Sequence, residues 1–271
     1  LKDTEPGKPL RSRRLPFLRN VITVGFAQAG SLTWAQAMAR AESVPAEEVR
    51  RLAAAVDPND VCNMQYTSGT TGFPKGVMLT HHNIVNNGKC IGDRMDLSTA
   101  DRMMVQVPMF HCFGMVLAMT AAMTHGATLL PLPYFSPKPA LACVGQERIT
   151  CFHGVPTMFI AMLEHPDFDK TDFSCMRTGI MAGSPCPISV MRDVVEKMRM
   201  TEITIVYGQT EASPGCTMSS TDDPLEVRVG TVGRPLPEIE CLIGDSVPWE
   251  ERRAGECGDF GDPGDSIMLG S

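Results

Sequence analysis

Short apolar runs alternate with amphipathic stretches through most of this chain. Residues 61–66 form an apolar run and residues 76–80 alternate, with a polar, glycine-rich segment between them. That pattern predicts strand, tight loop, strand. Residues 83–95 place Ile84, Gly88, Ile91 and Met95 on one helical face. The alternation then recurs, with strands predicted at 103–107, 127–132, 150–154, 176–181 and 203–207. Helices are predicted at 114–123, 139–147, 156–163 and 188–200. Pro156 opens its helix, where proline is tolerated, and Ile188, Met191, Val194, Val195 and Met198 form one stripe. Short apolar strands alternating with helices predict an α/β fold with a mostly parallel sheet and helices on both faces. From residue 229 onward the pattern is strand and turn without helices. Toward the start, 20–25 reads as a short strand and 32–56 as partly helical, broken at Pro45. Residues 1–20, with Arg11, Arg13, Arg14 and Arg19 among prolines, read as a solvated linker rather than a recognition patch.

The loop between the strands at 61–66 and 76–80 is densest in chemistry. The stretch Tyr66-Thr67-Ser68-Gly69-Thr70-Thr71-Gly72-Phe73-Pro74-Lys75-Gly76-Val77 holds three glycines, four Ser/Thr hydroxyls and one lysine. Glycines let backbone N–H groups approach an anion closely, and successive amides form a concave nest. The hydroxyls of Thr67, Ser68, Thr70 and Thr71 add donors, and Lys75 adds a full positive charge. The stretch is built to hold phosphate. It is not the helix-opening G-x-x-x-x-G-K-[ST] loop, because Lys75 follows Pro74 and Gly76 replaces the magnesium-binding hydroxyl.

Composition narrows the class. The 271 residues suffice for one large domain or two small ones, and 20% charged with 43% hydrophobic residues is ordinary for a soluble globular protein. A net charge of -7 gives no reason to expect nucleic acid or an anionic membrane as partner. The ten cysteines include no C-x-x-C pair, and Cys112, Cys143 and Cys151 sit inside apolar runs. With no secretory segment at the start, the expectation is reduced, buried thiols in a cytoplasmic protein, not a metal cluster or a disulfide framework. No apolar run reaches the length of a membrane span. The sequence opens at Leu1 without methionine and reads as a fragment.

Three further stretches follow predicted strands, where ligands collect in open α/β sheets. Tyr207-Gly208-Gln209-Thr210-Glu211 offers a ring to stack on a base, a hydroxyl for phosphate and a carboxylate for Mg²⁺. In Ala182-Gly183-Ser184-Pro185, the small Gly183 and Ser184 let a planar group come close, though ordinary turns also look like this. Pro108-Met109-Phe110-His111-Cys112-Phe113-Gly114 sets a histidine among aromatics, which by itself more often marks packing than catalysis.

Together these stretches resemble the signatures of the adenylate-forming (AMP-binding) superfamily, whose members activate a carboxylate with ATP as an acyl-adenylate. The twelve-residue string resembles its phosphate loop, which implies phosphate binding by Thr67, Ser68, Gly69, Thr70, Thr71, Gly72 and Lys75. Tyr207, Thr210 and Glu211 match the Y-G-x-T-E signature. The resemblance implies that the tyrosine packs on adenine, the threonine meets the α-phosphate and the glutamate engages Mg²⁺. It adds Gly183, Ser184 and Pro185 along the adenine edge, with Gly208 and Gln209 beside them. The P-x-F-H-x-x-G match implies that His111 lines the acyl pocket as a positioning group. No general base is required, since a carboxylic acid is already ionised at neutral pH. Lys75, His111, Thr210 and Glu211 are thereby the candidate catalytic set.

Val232-Gly233-Arg234-Pro235-Leu236-Pro237, Gly255-Glu256 and Met268-Leu269-Gly270 resemble later segments of the same family. Between them the chain departs from the pattern. An Arg-Gly pair gives way to Gly-Asp steps at 258–259, 261–262 and 264–265, read as a solvated acidic turn rather than a calcium loop. Gly154-Val155-Pro156-Thr157 and Gly208-Gln209-Thr210-Glu211-Ala212-Ser213-Pro214-Gly215 look most like the medium- to long-chain fatty acyl-CoA synthetase branch. A fatty acid, ATP, Mg²⁺ and coenzyme A are the implied substrates and cofactors. An aryl-CoA ligase, a peptide-synthetase adenylation domain, or nucleotide binding without turnover are the alternatives. The resemblance runs from about residue 57 to 270. The family's ribose-binding aspartate, hinge and mobile C-terminal domain with its catalytic lysine come later, so the fragment is expected to be inactive alone. The organisation expected is a linker and peripheral part over 1–56, a nucleotide-binding core over 57–228 and a strand-rich segment over 229–271.

Overall fold

The computed structural model describes residues 10–68, 73–246, 249–251 and 259–261. The chain divides into two compact units, Leu1–Asp57 and Pro58–Ser271. In the first, β1 (Ile22–Thr23) and β2 (Leu32–Thr33) pair in parallel, ahead of α1 (Trp34–Ala39) and α2 (Ala46–Ala54). A capping box starts α1. The Gln36 N–H donates to the Thr33 hydroxyl at 3.3 Å, and the Thr33 N–H donates to the Gln36 side-chain oxygen at 2.9 Å. Pro45 precedes α2, as the predicted break requires.

The second unit opens with β3 (Val61–Thr67) and β4 (Lys75–Thr80), an antiparallel pair, followed by α3 (His81–Arg94). Next come β5 (Arg102–Val105), a π-helix (Phe113–Thr120), α4 (Ala121–Thr124), β6 (Thr128–Pro131) and α5 (Pro137–Gln146). They are followed by β7 (Cys151–Phe152), α6 (Pro156–Leu163), β8 (Thr178–Met181), α7 (Ile188–Lys197) and β9 (Glu202–Gly208). Then come β10 (Gly215–Met218), α8 (Leu225–Gly230) and β11 (Arg234–Pro235). A separate antiparallel sheet joins β12 (Leu242–Ser246), β13 (Trp249–Glu251) and β14 (Asp259–Gly261).

The main sheet runs β11-β10-β9-β8-β7-β5-β6. It is parallel from β6 to β9, and β10 and β11 are antiparallel additions. Because successive strand residues face opposite sides, Met103 and Val105 join one core layer while Met104 joins the other. The α/β architecture with a mostly parallel sheet is therefore as the alternation predicts.

Several local expectations are corrected. Residues 61–66 read as an apolar run, yet Val61, Met64 and Tyr66 are exposed and only Gln65 is fully buried in β3. The predicted helix at 114–123 is wound as a π-helix through Thr120, whose hydroxyl donates to the Met115 carbonyl at 2.9 Å. The strand at 150–154 shortens to two residues, because His153 takes the Ile180 N–H on its ring nitrogen. The helix predicted at 188–200 ends at Lys197 with Ile188 exposed. β10 and α8 were unforeseen, and α8 reaches Gly230, into the stretch expected to lack helices. Among the nine described cysteines, Cys112, Cys151 and Cys216 are buried, Cys62 is exposed and the rest lie between. The thiols are less buried than their apolar neighbours suggested. Of the Gly-Asp steps, only 259 and 261 fall in a described strand; the others lie outside the described residues.

The amino ends of the strands are closed by one arginine. Arg177, just before β8, donates from Nε and Nη2 to the two Asp101 oxygens at 3.0 and 2.8 Å, and from Nη1 to Glu202 at the start of β9. It also donates to the Met95 and Asp96 carbonyls at 3.2 and 2.7 Å. Asp101 further accepts from the Thr150 hydroxyl and the Ser98 N–H. That clamp leaves the carboxyl ends free for chemistry.

Candidate active site

Of the phosphate-loop candidates, Thr67 ends β3, Ser68 follows it and Lys75 opens β4. Thr67 and Lys75 are cross-strand partners, so the pairing register holds the first and last residues of the loop side by side. Lys75 is exposed, Ser68 is exposed and Thr67 is half-buried. Gly69, Thr70, Thr71 and Gly72 lie outside the described residues.

The Tyr207–Glu211 stretch leaves the carboxyl end of β9. Tyr207 and Gly208 are still in the strand, and Thr210 to Ala212 make one 3₁₀ turn that β4 approaches. Gln209 anchors that turn, donating its N–H to the Pro214 carbonyl at 3.0 Å and accepting the Ala212 N–H at 2.9 Å. Gly208 is required here, since a Cβ would fall 1.8 Å from the Pro214 carbonyl oxygen. The return strand is held from across the unit by Asn87 on α3. Its amide donates to the Gly215 carbonyl at 2.8 Å and accepts the Gly215 N–H at 3.0 Å. Asn87 carries no sequence signature of its own; its only signal is a polar residue on the buried face of an amphipathic helix.

The Gly183–Pro185 turn follows β8, with Gly183 at a positive φ of 85° that a side chain would strain. Gly183, Ser184 and Pro185 line a cavity of about 610 Å³ together with Tyr207 and Gly208. Val229, Gly230, Thr231 and Val232 also line it, residues that the sequence did not nominate. Tyr207 is 42% exposed where it lines that cavity.

His111 is exposed ahead of the π-helix, and its Nδ1 accepts the Phe113 N–H at 3.1 Å. The next residue, Cys112, is buried and its Sγ lies 3.6 Å from the Thr210 hydroxyl. Burial pushes the Cys112 thiol pKa up, with the Thr210 hydroxyl opposing, so it stays protonated at neutral pH. The His111 segment and the Thr210 turn therefore meet at the carboxyl end of the sheet. The donors present fit a nucleotide triphosphate: hydroxyls and an ammonium for phosphate, a turn shaped by glycine for the base. Glu211 offers one hard carboxylate, as suits Mg²⁺ shared with phosphate oxygens.

Gln106, five residues before His111, is 3% exposed, and neither atom of its amide has a partner among the described residues. An unsatisfied buried amide costs about 1–3 kcal/mol. Gln106→Leu is therefore expected to raise stability by about that much in a denaturant titration; a lower midpoint would show that the amide is satisfied in solution.

The family described as AMP-binding enzyme matches residues 13–269. YngI of Bacillus subtilis (strain 168) is 47% identical over 271 residues, which is 100% of this chain and 49% of YngI. Medium-chain acyl-CoA ligase ACSF2, a mitochondrial protein of Mus musculus, is 41% identical over 249 residues, 90% of this chain and 40% of ACSF2. The chain thus spans about half the length of these relatives or less. Among solved structures, ATP-bound MatB from Rhodopseudomonas palustris superposes with a TM-score of 0.70 at 28% identity, over 79% of this chain and 42% of MatB. The inhibitor-bound N-terminal domain of FACL13 from Mycobacterium tuberculosis gives 0.72 at 26% identity, over 88% of this chain and 58% of that domain.

Proposed function

The chain belongs to the AMP-binding enzyme family, and on that premise we propose that the whole protein is an AMP-forming ligase of a fatty acid with coenzyme A. One observation carries the reading. The 3.6 Å contact between Cys112 and Thr210 joins the segment assigned to the acid with the residue assigned to the α-phosphate. A carboxylate oxygen attacks the α-phosphorus of ATP, and the bond to the bridging oxygen breaks with loss of pyrophosphate. The thiolate of coenzyme A then attacks the acyl carbon, and AMP leaves with one former carboxylate oxygen.

Catalysis in the first step is positioning and charge neutralisation. Lys75, Thr67, Ser68 and the loop 69–72 hold the β- and γ-phosphates, and Thr210 holds the α-phosphate. Gly183, Ser184 and Pro185, with Gly208 and Gln209, border the adenine, and Tyr207 covers it. His111 orients the acid. Glu211 is the residue that would hold Mg²⁺, which when bound neutralises phosphate charge. The core spans 57–228, with 229–271 as a strand-rich extension and 1–56 peripheral. We place the protein in the cytoplasm, a compartment that ten cysteines without a C-x-x-C pair fit; no helix among the described residues is long and apolar enough to cross a membrane.

Pyrophosphate release by the full-length protein, measured with ATP and a panel of fatty and aryl acids, tests the proposal. Release is expected with medium-chain fatty acids, following the name of ACSF2. Release with aryl acids alone would move the protein to another branch, and none with any acid would end the reading.

A further inference from the structure

The His111 segment is held by a residue that none of the roles above uses. His153 follows β7 and is 1% exposed. Its Nδ1 accepts the Ile180 N–H at 3.1 Å, so the ring proton sits on Nε2, which donates to the Leu117 carbonyl at 2.8 Å. One imidazole thus ties β8, three residues before Gly183, to the interior of the π-helix. The Phe113 ring stacks on it with centroids 5.9 Å apart and planes 13° from parallel. Phe113 in turn donates its N–H to His111. A continuous path of contacts therefore runs from the strand carrying the nucleotide turn, through His153 and Phe113, to His111.

A buried histidine must have both nitrogens matched, so filling space alone gives no reason to place one here. Phenylalanine or methionine would fill this apolar layer without a polar group to satisfy. The π-helix adds a reason for the bond, since its wider winding is an irregular stretch of the kind found at functional sites.

We infer that His153 is a positioning residue: through Leu117 and Phe113 it fixes the first turn of the π-helix, and so the placement of His111 relative to the Gly183–Pro185 turn. Its effect on turnover rests on the acyl-adenylate reading; its hold on the segment does not. The acid side of the site should therefore depend on His153 more than the nucleotide side, because Ile180 is fixed by the β8 ladder in any case.

Two readouts in the full-length protein test this. His153→Phe keeps the ring and removes both hydrogen bonds. Amide hydrogen exchange over 111–120 is expected to speed about tenfold or more while the β9 amides keep their protection. The KM for the acid should rise about tenfold with the KM for ATP within about twofold, and His153→Gln, which retains a donor near Nε2, should restore part of the loss. If His153→Phe does not fold, Phe113→Leu removes only the stack and should shift the acid KM in the same direction. Unchanged exchange at 111–120, or both KM values moving together, would overturn the inference. Should the wild-type protein make no acyl-adenylate, only the proposed function fails, and the exchange result still decides the role of His153.

Discussion

Lys75→Ala in the full-length protein is expected to slow acyl-adenylate formation roughly a thousandfold, about 4 kcal/mol of transition-state stabilisation. Lys75 opens β4 with its side chain in solvent, paired across the strands with Thr67. The pairing is a backbone property, so removing the ammonium leaves the hairpin intact. What is lost is a positive charge beside a leaving pyrophosphate. Glu211→Ala is expected to behave alike, since it removes the carboxylate proposed for Mg²⁺ from a turn whose shape is set by Gln209, Asn87 and Gly208. Single-turnover rates with a folded variant decide the matter. A rate within about tenfold of wild type, less than about 1.4 kcal/mol, would remove either residue from the mechanism.

The largest effect on stability is expected at the opposite end of the sheet. Arg177→Ala leaves Asp101, whose side chain is 4% exposed, without its bidentate partner. Breaking a buried pair by deleting one member costs about 3–5 kcal/mol, on the order of 10 °C in melting temperature for a unit of this size. Burial alone would raise the Asp101 pKa, but Arg177, Thr150 and Ser98 outweigh it and hold the carboxyl below its ordinary range. A lowered carboxylate pKa stabilises the fold above the unfolded value, near 3.9, and that stabilisation is lost as pH falls through the folded value. The gap between wild type and Arg177→Ala should therefore narrow as pH falls from neutral toward the lowered folded value of Asp101. Thermal melts across that range check it; a gap that widens in acid would mean that Asp101 is not the group left stranded.

Periodicity was enough to foresee the parallel strands β5 to β9 of the main sheet, though not β10, because the central strands β7 and β8 are buried on both faces and read as apolar runs. It was misleading where a side chain competes with the backbone. His153 ends β7 early by taking a ladder N–H, and Thr120 bonds a π-helix carbonyl. The apolar run of β3 also misled, since Val61, Met64 and Tyr66 face solvent. At the site, residues that touch ligand are dense in glycine, hydroxyl and charge over a few positions, and such density is legible. Residues that hold those segments in place are scattered and single. Asn87 lies 128 positions from the Gly215 amide it receives, and Arg177 lies 76 from Asp101. Only the fold brings them together.

The central claim is that the carboxylate itself attacks the α-phosphorus. Feeding the full-length protein a fatty acid labelled with ¹⁸O in its carboxylate, with ATP, Mg²⁺ and coenzyme A, and analysing the nucleotide product by mass spectrometry tests it directly. The account predicts AMP carrying one labelled oxygen on its phosphate. Unlabelled AMP, or ADP with the label in inorganic phosphate, would contradict it.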